Sequence, residues 1–192
     1  MFRKASIMVL VLIIASLIGG IGVHAASTNN VKDFLDYLSK SEVTQLQTVI
    51  ENIKDTHQLD AVIVITDNTS GKSSMNFADD YYDNNGYGVG SDYSGLLMLV
   101  NMQKREVWIS TTGRAINIFT DSRISKMVDH VTSPLSDGDF SSACSIFLSD
   151  IIKYAEAGVP SGQYSRDSGS NTVMSYKDKV YLMMNSYPPS TI

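Results

Sequence analysis

Apolar residues recur along this chain with two different periods, and the changes of period mark out its elements. Val43, Leu46, Ile50 and Ile53 fall at three- and four-residue spacing, one face of a helix. Ser39-Lys40-Ser41-Glu42 just ahead of them fits an S-x-x-E capping box, and the helix is expected to end near His57. Asp60 then opens Ala61-Val62-Ile63-Val64-Ile65, an unbroken and mostly β-branched run that predicts a strand buried on both faces. Residues 67–74 are a loop by composition, and residues 75–84 predict a short helix turning Phe77, Tyr81 and Tyr82 inward. A second unbroken run, Gly95-Leu96-Leu97-Met98-Leu99-Val100, predicts a central strand. A short turn links it to Glu106-Val107-Trp108-Ile109-Ser110-Thr111, so that third strand should be antiparallel. Thr120 is placed to cap a helix whose inner face is Ile124, Met127, Val128 and Val131, with Pro134 ending it. Asp137-Gly138-Asp139 begins a last helix carrying Ala143, Ile146, Phe147, Ile151 and Tyr154, stopped by Gly158 and Pro160. Residues 28–37 read as a polar lead-in that tucks Val31, Phe34 and Leu35 against the body.

This order predicts an α/β fold, a three-layer α/β/α sandwich on a small mixed sheet: a parallel pair plus an antiparallel hairpin. The parallel pair, joined through a helix, should have a right-handed crossover. Residues 26–160 would form this domain. Residues 161–192, rich in Ser, Gly and Asn, read as a disordered polar tail, and its run 180–184 is far shorter than a membrane span.

The N-terminus differs in kind. Arg3 and Lys4 precede an apolar run over residues 7–18, then Gly19-Gly20 and Val23-His24-Ala25, the layout of a secretory signal peptide over residues 1–25. An uncleaved N-terminal anchor is the rival reading, and both place the domain outside the cytoplasm. Losing residues 1–25 takes the net charge from −5 to −7. Such acidity excludes nucleic acid as a partner, since a phosphate backbone demands Lys/Arg stripes. Cys144 is the one cysteine, which excludes an intramolecular disulfide, and its apolar neighbours make it a small buried hydrophobe.

Candidate chemistry gathers between residues 79 and 121. The hairpin should return residues 112–121 to the edge where the glycine loop Gly86-Tyr87-Gly88-Val89-Gly90 enters the second strand. Asp80, Asp83, Asp92 and Asp121 are candidate ligands for a hard cation such as calcium on that rim. A helix cap at Asp121 and a solvated helix face for Asp80 and Asp83 are the plainer alternatives. Gly88, Gly90, Gly113, Thr120 and Arg105 are candidate ligand-binding positions, with Arg105 starting its strand at the far end. The glycine loop is not a dinucleotide fingerprint, because a strand follows it. No G-x-S-x-G elbow or H-E-x-x-H motif occurs, and no Ser-His-Asp triad can be assembled.

Tyr87-Gly88-Val89-Gly90, then Gly95-Leu96-Leu97-Met98-Leu99, Arg105 before its strand, Gly113, Phe119-Thr120-Asp121 and Gly138-Asp139-Phe140 follow in one order. In that order the chain resembles the TPM domain family, also called the TPM phosphatase family, over roughly residues 30–158. The resemblance implies an extracytoplasmic α/β/α sandwich. It also implies relatives associated with acid phosphatase activity and calcium binding, with photosystem repair in plants, or with an accessory role beside a receptor. Tyr87 stands where the family has Trp, and Thr111-Thr112-Gly113-Arg114 where it has G-Y-G. Two functional readings follow: an accessory or binding module serving a membrane protein complex, with calcium as its candidate cation, or a weak metal-assisted phosphatase acting on small phosphomonoesters.

Overall fold

The computed structural model describes residues 29–161 and 181–182. The predicted signal segment and nearly all of the predicted tail lie outside them. Ten elements follow in order: β1 (Val31–Asp33), α1 (Lys40–His57), β2 (Asp60–Thr66), α2 (Ser74–Asn84), β3 (Gly95–Asn101), β4 (Glu106–Thr112), α3 (Ala115–Ile118), α4 (Asp121–Ser136), α5 (Phe140–Ala157) and β5 (Tyr181–Leu182). The strands line up in sequence order, with β1, β2 and β3 parallel and β4 and β5 antiparallel to their neighbours.

Every residue of β2 and β3 is buried, as unbroken apolar runs require. Alternate residues feed two cores. Ala61, Ile63, Ile65, Leu96, Met98, Val100, Val107 and Ile109 pack beneath α1, α4 and α5. Val62, Val64, Leu97, Leu99 and Trp108 face the other way, under α2 through Ala78 and Tyr82, with Tyr87 of the following loop. The predicted α/β/α sandwich and its antiparallel hairpin are present.

The helices begin where their caps dictate. Ser39 and Glu42 form both halves of the capping box, Thr120 accepts from the Arg123 amide, and Asp139 accepts from the Ser142 amide.

Five details depart from expectation. The lead-in contains β1, a three-residue edge strand paired with Ile63, Val64 and Ile65. One helical turn, α3, interrupts the stretch before Thr120. Pro134 lies inside α4, which runs on to Ser136. Tyr181 and Leu182 of the tail pair with Val107 and Glu106. Because α1 and α2 cover opposite faces while β1, β2 and β3 advance in one direction, the two parallel crossovers have opposite hands. One of them is left-handed, against the usual rule.

Candidate functional site

Register places Gly95 of β3 between Asp60 of β2 and Thr112 of β4, so the heads of two strands and the tail of a third share one end of the sheet. The loop over residues 85–94 closes on that end. Val89 and Ser94 exchange backbone hydrogen bonds of 3.1 and 2.9 Å, and the Ser94 carbonyl also accepts from the Asp60 amide at 3.1 Å. Gly90 to Tyr93 make the tight turn at the tip, closed by the Tyr93 amide on the Gly90 carbonyl.

Asp60 holds this loop from below. It is 1% exposed, a buried carboxylate at the head of an otherwise apolar strand. A buried charge is tolerable only when it is paired and hydrogen-bonded. Asp60 accepts from Asn30 Nδ2 at 2.6 Å, from the Gly88 amide at 2.8 Å, and from Lys54 Nζ at 3.4 Å. Gly88 reaches it with φ +112°, and a Cβ there would stand 2.5 Å from the Tyr93 carbonyl carbon. Glycine is required at this position by both conformation and space.

A second tie holds the outer side. Asp92 Oδ2 accepts from Ser94 Oγ at 2.8 Å and from the Arg114 amide at 3.1 Å. The Ser94 hydroxyl keeps the Asp92 carboxyl below the usual carboxylate range, with the Arg114 amide and guanidinium acting in the same sense. The guanidinium of Arg114 donates to the His57 carbonyl at the end of α1. Gly113 precedes it at φ +58°, where a Cβ would lie 2.6 Å from the Asp92 carbonyl oxygen.

Aromatic rings form the inner wall. Tyr82 is buried and donates to the Tyr93 carbonyl at 3.3 Å. Burial raises its phenol far above the usual value, and the carboxylates of Asp60, Asp83 and Asp92 push the same way. Burial likewise raises Tyr87 to about 12, and its ring packs against Tyr81 and Tyr82 at 6.4 and 5.8 Å. These groups stay protonated at neutral pH and serve as packing. Tyr93 itself points out: it is 59% exposed and held at φ +53°.

Of the positions singled out from sequence, Gly88, Gly90, Asp92 and Gly113 meet here. The others do not join them. Asp80 is on α2, paired with Lys72 at 2.6 Å. Asp83 lies on the same helix near Asp79. Thr120 caps α4, and Asp121 is that helix's first residue, reached only after α3 and Phe119 have turned into the larger core. Arg105 lies in the hairpin turn just before β4, seven residues and roughly 23 Å of strand from Thr112. Among the described residues no three carboxylates, histidines or cysteines converge on one point. The four aspartates therefore do not fit a shared calcium ion, whose ligands must all lie near 2.4 Å from it. Burial raises Cys144 to about 12, which leaves its thiol inert as a nucleophile.

In the sequence Asp60 stands out only as the opener of its strand. The available signal was its position: a lone acid ahead of five buried residues is drawn under the surface with them.

A family model, the TPM domain, matches residues 31–154, well over half of the chain. The chain belongs to the TPM domain family. The UPF0603 protein YdjH of Bacillus subtilis (strain 168) is 28% identical over 163 residues, covering 84% of this chain and 61% of that protein. The chain thus spans about three-fifths of that relative's length. Two solution structures share the fold. The N-terminal domain of a P. gingivalis protein superposes with a TM-score of 0.61 at 18% identity, over 70% of this chain and 87% of that one. The N-terminal domain of the cg2496 protein from Corynebacterium glutamicum does so with a TM-score of 0.55 at 17% identity, over 74% and 90%.

Proposed function

We propose that this TPM domain is a non-catalytic binding module outside the cytoplasm, secreted or held at the membrane by its N-terminal apolar segment, and serving as an accessory to a membrane protein complex. The observation that carries this reading is how the rim spends its polar groups. Asp60 and Asp92, the two carboxylates under and beside the glycine loop, are both engaged in holding the chain in place. Among the described residues neither belongs to a group of three carboxylates, histidines or cysteines that could hold a metal for turnover, and the hydroxyl beside Asp92, that of Ser94, is itself tied to the carboxylate and to the Arg114 amide. What the rim offers outward is Tyr93, an exposed aromatic on a loop tied at both sides, and rigid aromatic anchors dominate protein recognition.

The test is a photoreactive phenylalanine analogue placed at position 93 in cells that express the full chain, with position 159 as control. Val159 is also exposed, at 49%, but follows α5. Binding through the rim predicts a discrete adduct from position 93 that position 159 does not give. Equal adducts from both, or none from position 93, would sink the reading.

A further inference from the structure

Among the described residues, the outer edge of β4 is paired over only part of its length. β5 pairs with Glu106 and Val107 alone, and among the described residues no strand pairs with that edge from Trp108 to Thr112. Proteins usually blunt such an edge with lysine, proline, a bulge or a covering element. Trp108-Ile109-Ser110-Thr111-Thr112 carries no charge and no proline, and consists mainly of strand-forming residues. β5 already demonstrates antiparallel strand addition at the other end of the same edge.

Beside this edge lies an acidic ridge on α2. Asp79 Oδ1 accepts from Ser110 Oγ at 2.5 Å, and that oxygen in turn accepts from Trp108 Nε1 at 3.0 Å. Desolvation holds the Asp79 carboxyl above the usual range; the Ser110 hydroxyl opposes this, and repulsion from Asp83 and Asp80 adds to it. Asp83 lies one helical turn beyond Asp79, about 6 Å along the axis. Two residues of strand advance about the same distance. Asp80 is paired with Lys72, whereas no cation among the described residues is paired with Asp79.

From this match we infer that the open edge of β4 accepts an extended peptide segment of another protein, added antiparallel, with Lys or Arg at alternate positions facing Asp79 and Asp83. Main-chain hydrogen bonds to residues 108–112 supply the affinity, and the two basic side chains fix register and face. This deepens the binding-module reading by giving the partner a chemistry: basic, extended and strand-forming.

The experiment uses the full chain and a labelled peptide, Thr-Lys-Val-Lys-Val-Thr, followed by fluorescence anisotropy and by amide exchange. The expected result is saturable binding that slows exchange across residues 108–112. It should weaken roughly tenfold in the Asp79→Asn, Asp83→Asn double variant, the effect of two exposed ion pairs, and be lost when alternate peptide amides are N-methylated. Unchanged exchange over residues 108–112, or equal binding of the N-methylated peptide, overturns the proposal. Binding that appears only after residues 171–192 are removed makes the chain's own tail the occupant. Protection that grows with protein concentration and no peptide makes it a second copy. Either result also overturns the proposal. Because the rim test reads position 93, a failed peptide titration beside a discrete adduct at position 93 removes the edge proposal and leaves the binding module standing.

Discussion

Asp60 is a structural tie: one buried carboxylate joins the N-terminal lead-in, α1 and the glycine loop. Asp60→Asn keeps the shape but turns an amide N–H toward donors and removes the charge facing Lys54. Leaving buried groups unpaired in this way costs about 2–4 kcal/mol, to be read from urea unfolding at pH 7. Asp92 gives a different signature. Its folded pKa is depressed by Ser94, so its contribution is complete above the unfolded carboxylate value of about 3.9 and is lost as pH falls through the lower folded value. The melting-temperature gap between wild type and Asp92→Asn should therefore be constant near neutral pH and shrink below about pH 4. A gap unaffected by acid would mean that the Ser94 and Arg114 hydrogen bonds do not favour the charged form. Much of this site was legible in the sequence as a place, because alternating glycines beside acids announce an unusual backbone. Its chemistry was less so. Asp83 and Asp121 look equivalent to Asp92 in composition, and only the position of each on its helix separates them.

At the level of elements, local signals that act within a few residues read through cleanly. The capping box of α1 is one, and Ser39→Ala should cost about 1 kcal/mol in the same unfolding measurement, by releasing the Glu42 amide. The buried runs of β2 and β3, and the short link that makes β4 antiparallel, are of the same kind. What failed depended on distant partners. β1 has three residues and no pattern of its own; it exists because Ile63, Val64 and Ile65 offer an edge to pair with. α3 is a single turn anchored by burial of Ala115 and Ile118, and no cap marks its start. Pro134 was expected to end α4, yet the helix continues for two residues. A proline in the last turn of a helix breaks little, since the chain after it closes through Asp137 onto the Ser133 and Pro134 carbonyls.

The whole molecule divides its two ends and two faces unequally. Among the described residues four helices, the short α3 included, pack into the larger core on one face and α2 alone covers the other; the glycine loop closes one end of the sheet, and the hairpin with Arg105 closes the opposite end. On the proposed reading, the closed rim is a fixed presenting surface that turns over no substrate of its own. The most direct measurement is hydrolysis of p-nitrophenyl phosphate by the purified protein, with and without millimolar calcium, alongside its melting temperature. A binding module gives turnover no higher than buffer in either case and a melting temperature that calcium leaves unmoved, because an ion bound only by the folded state must stabilise it. Calcium-dependent turnover accompanied by a raised melting temperature would contradict it.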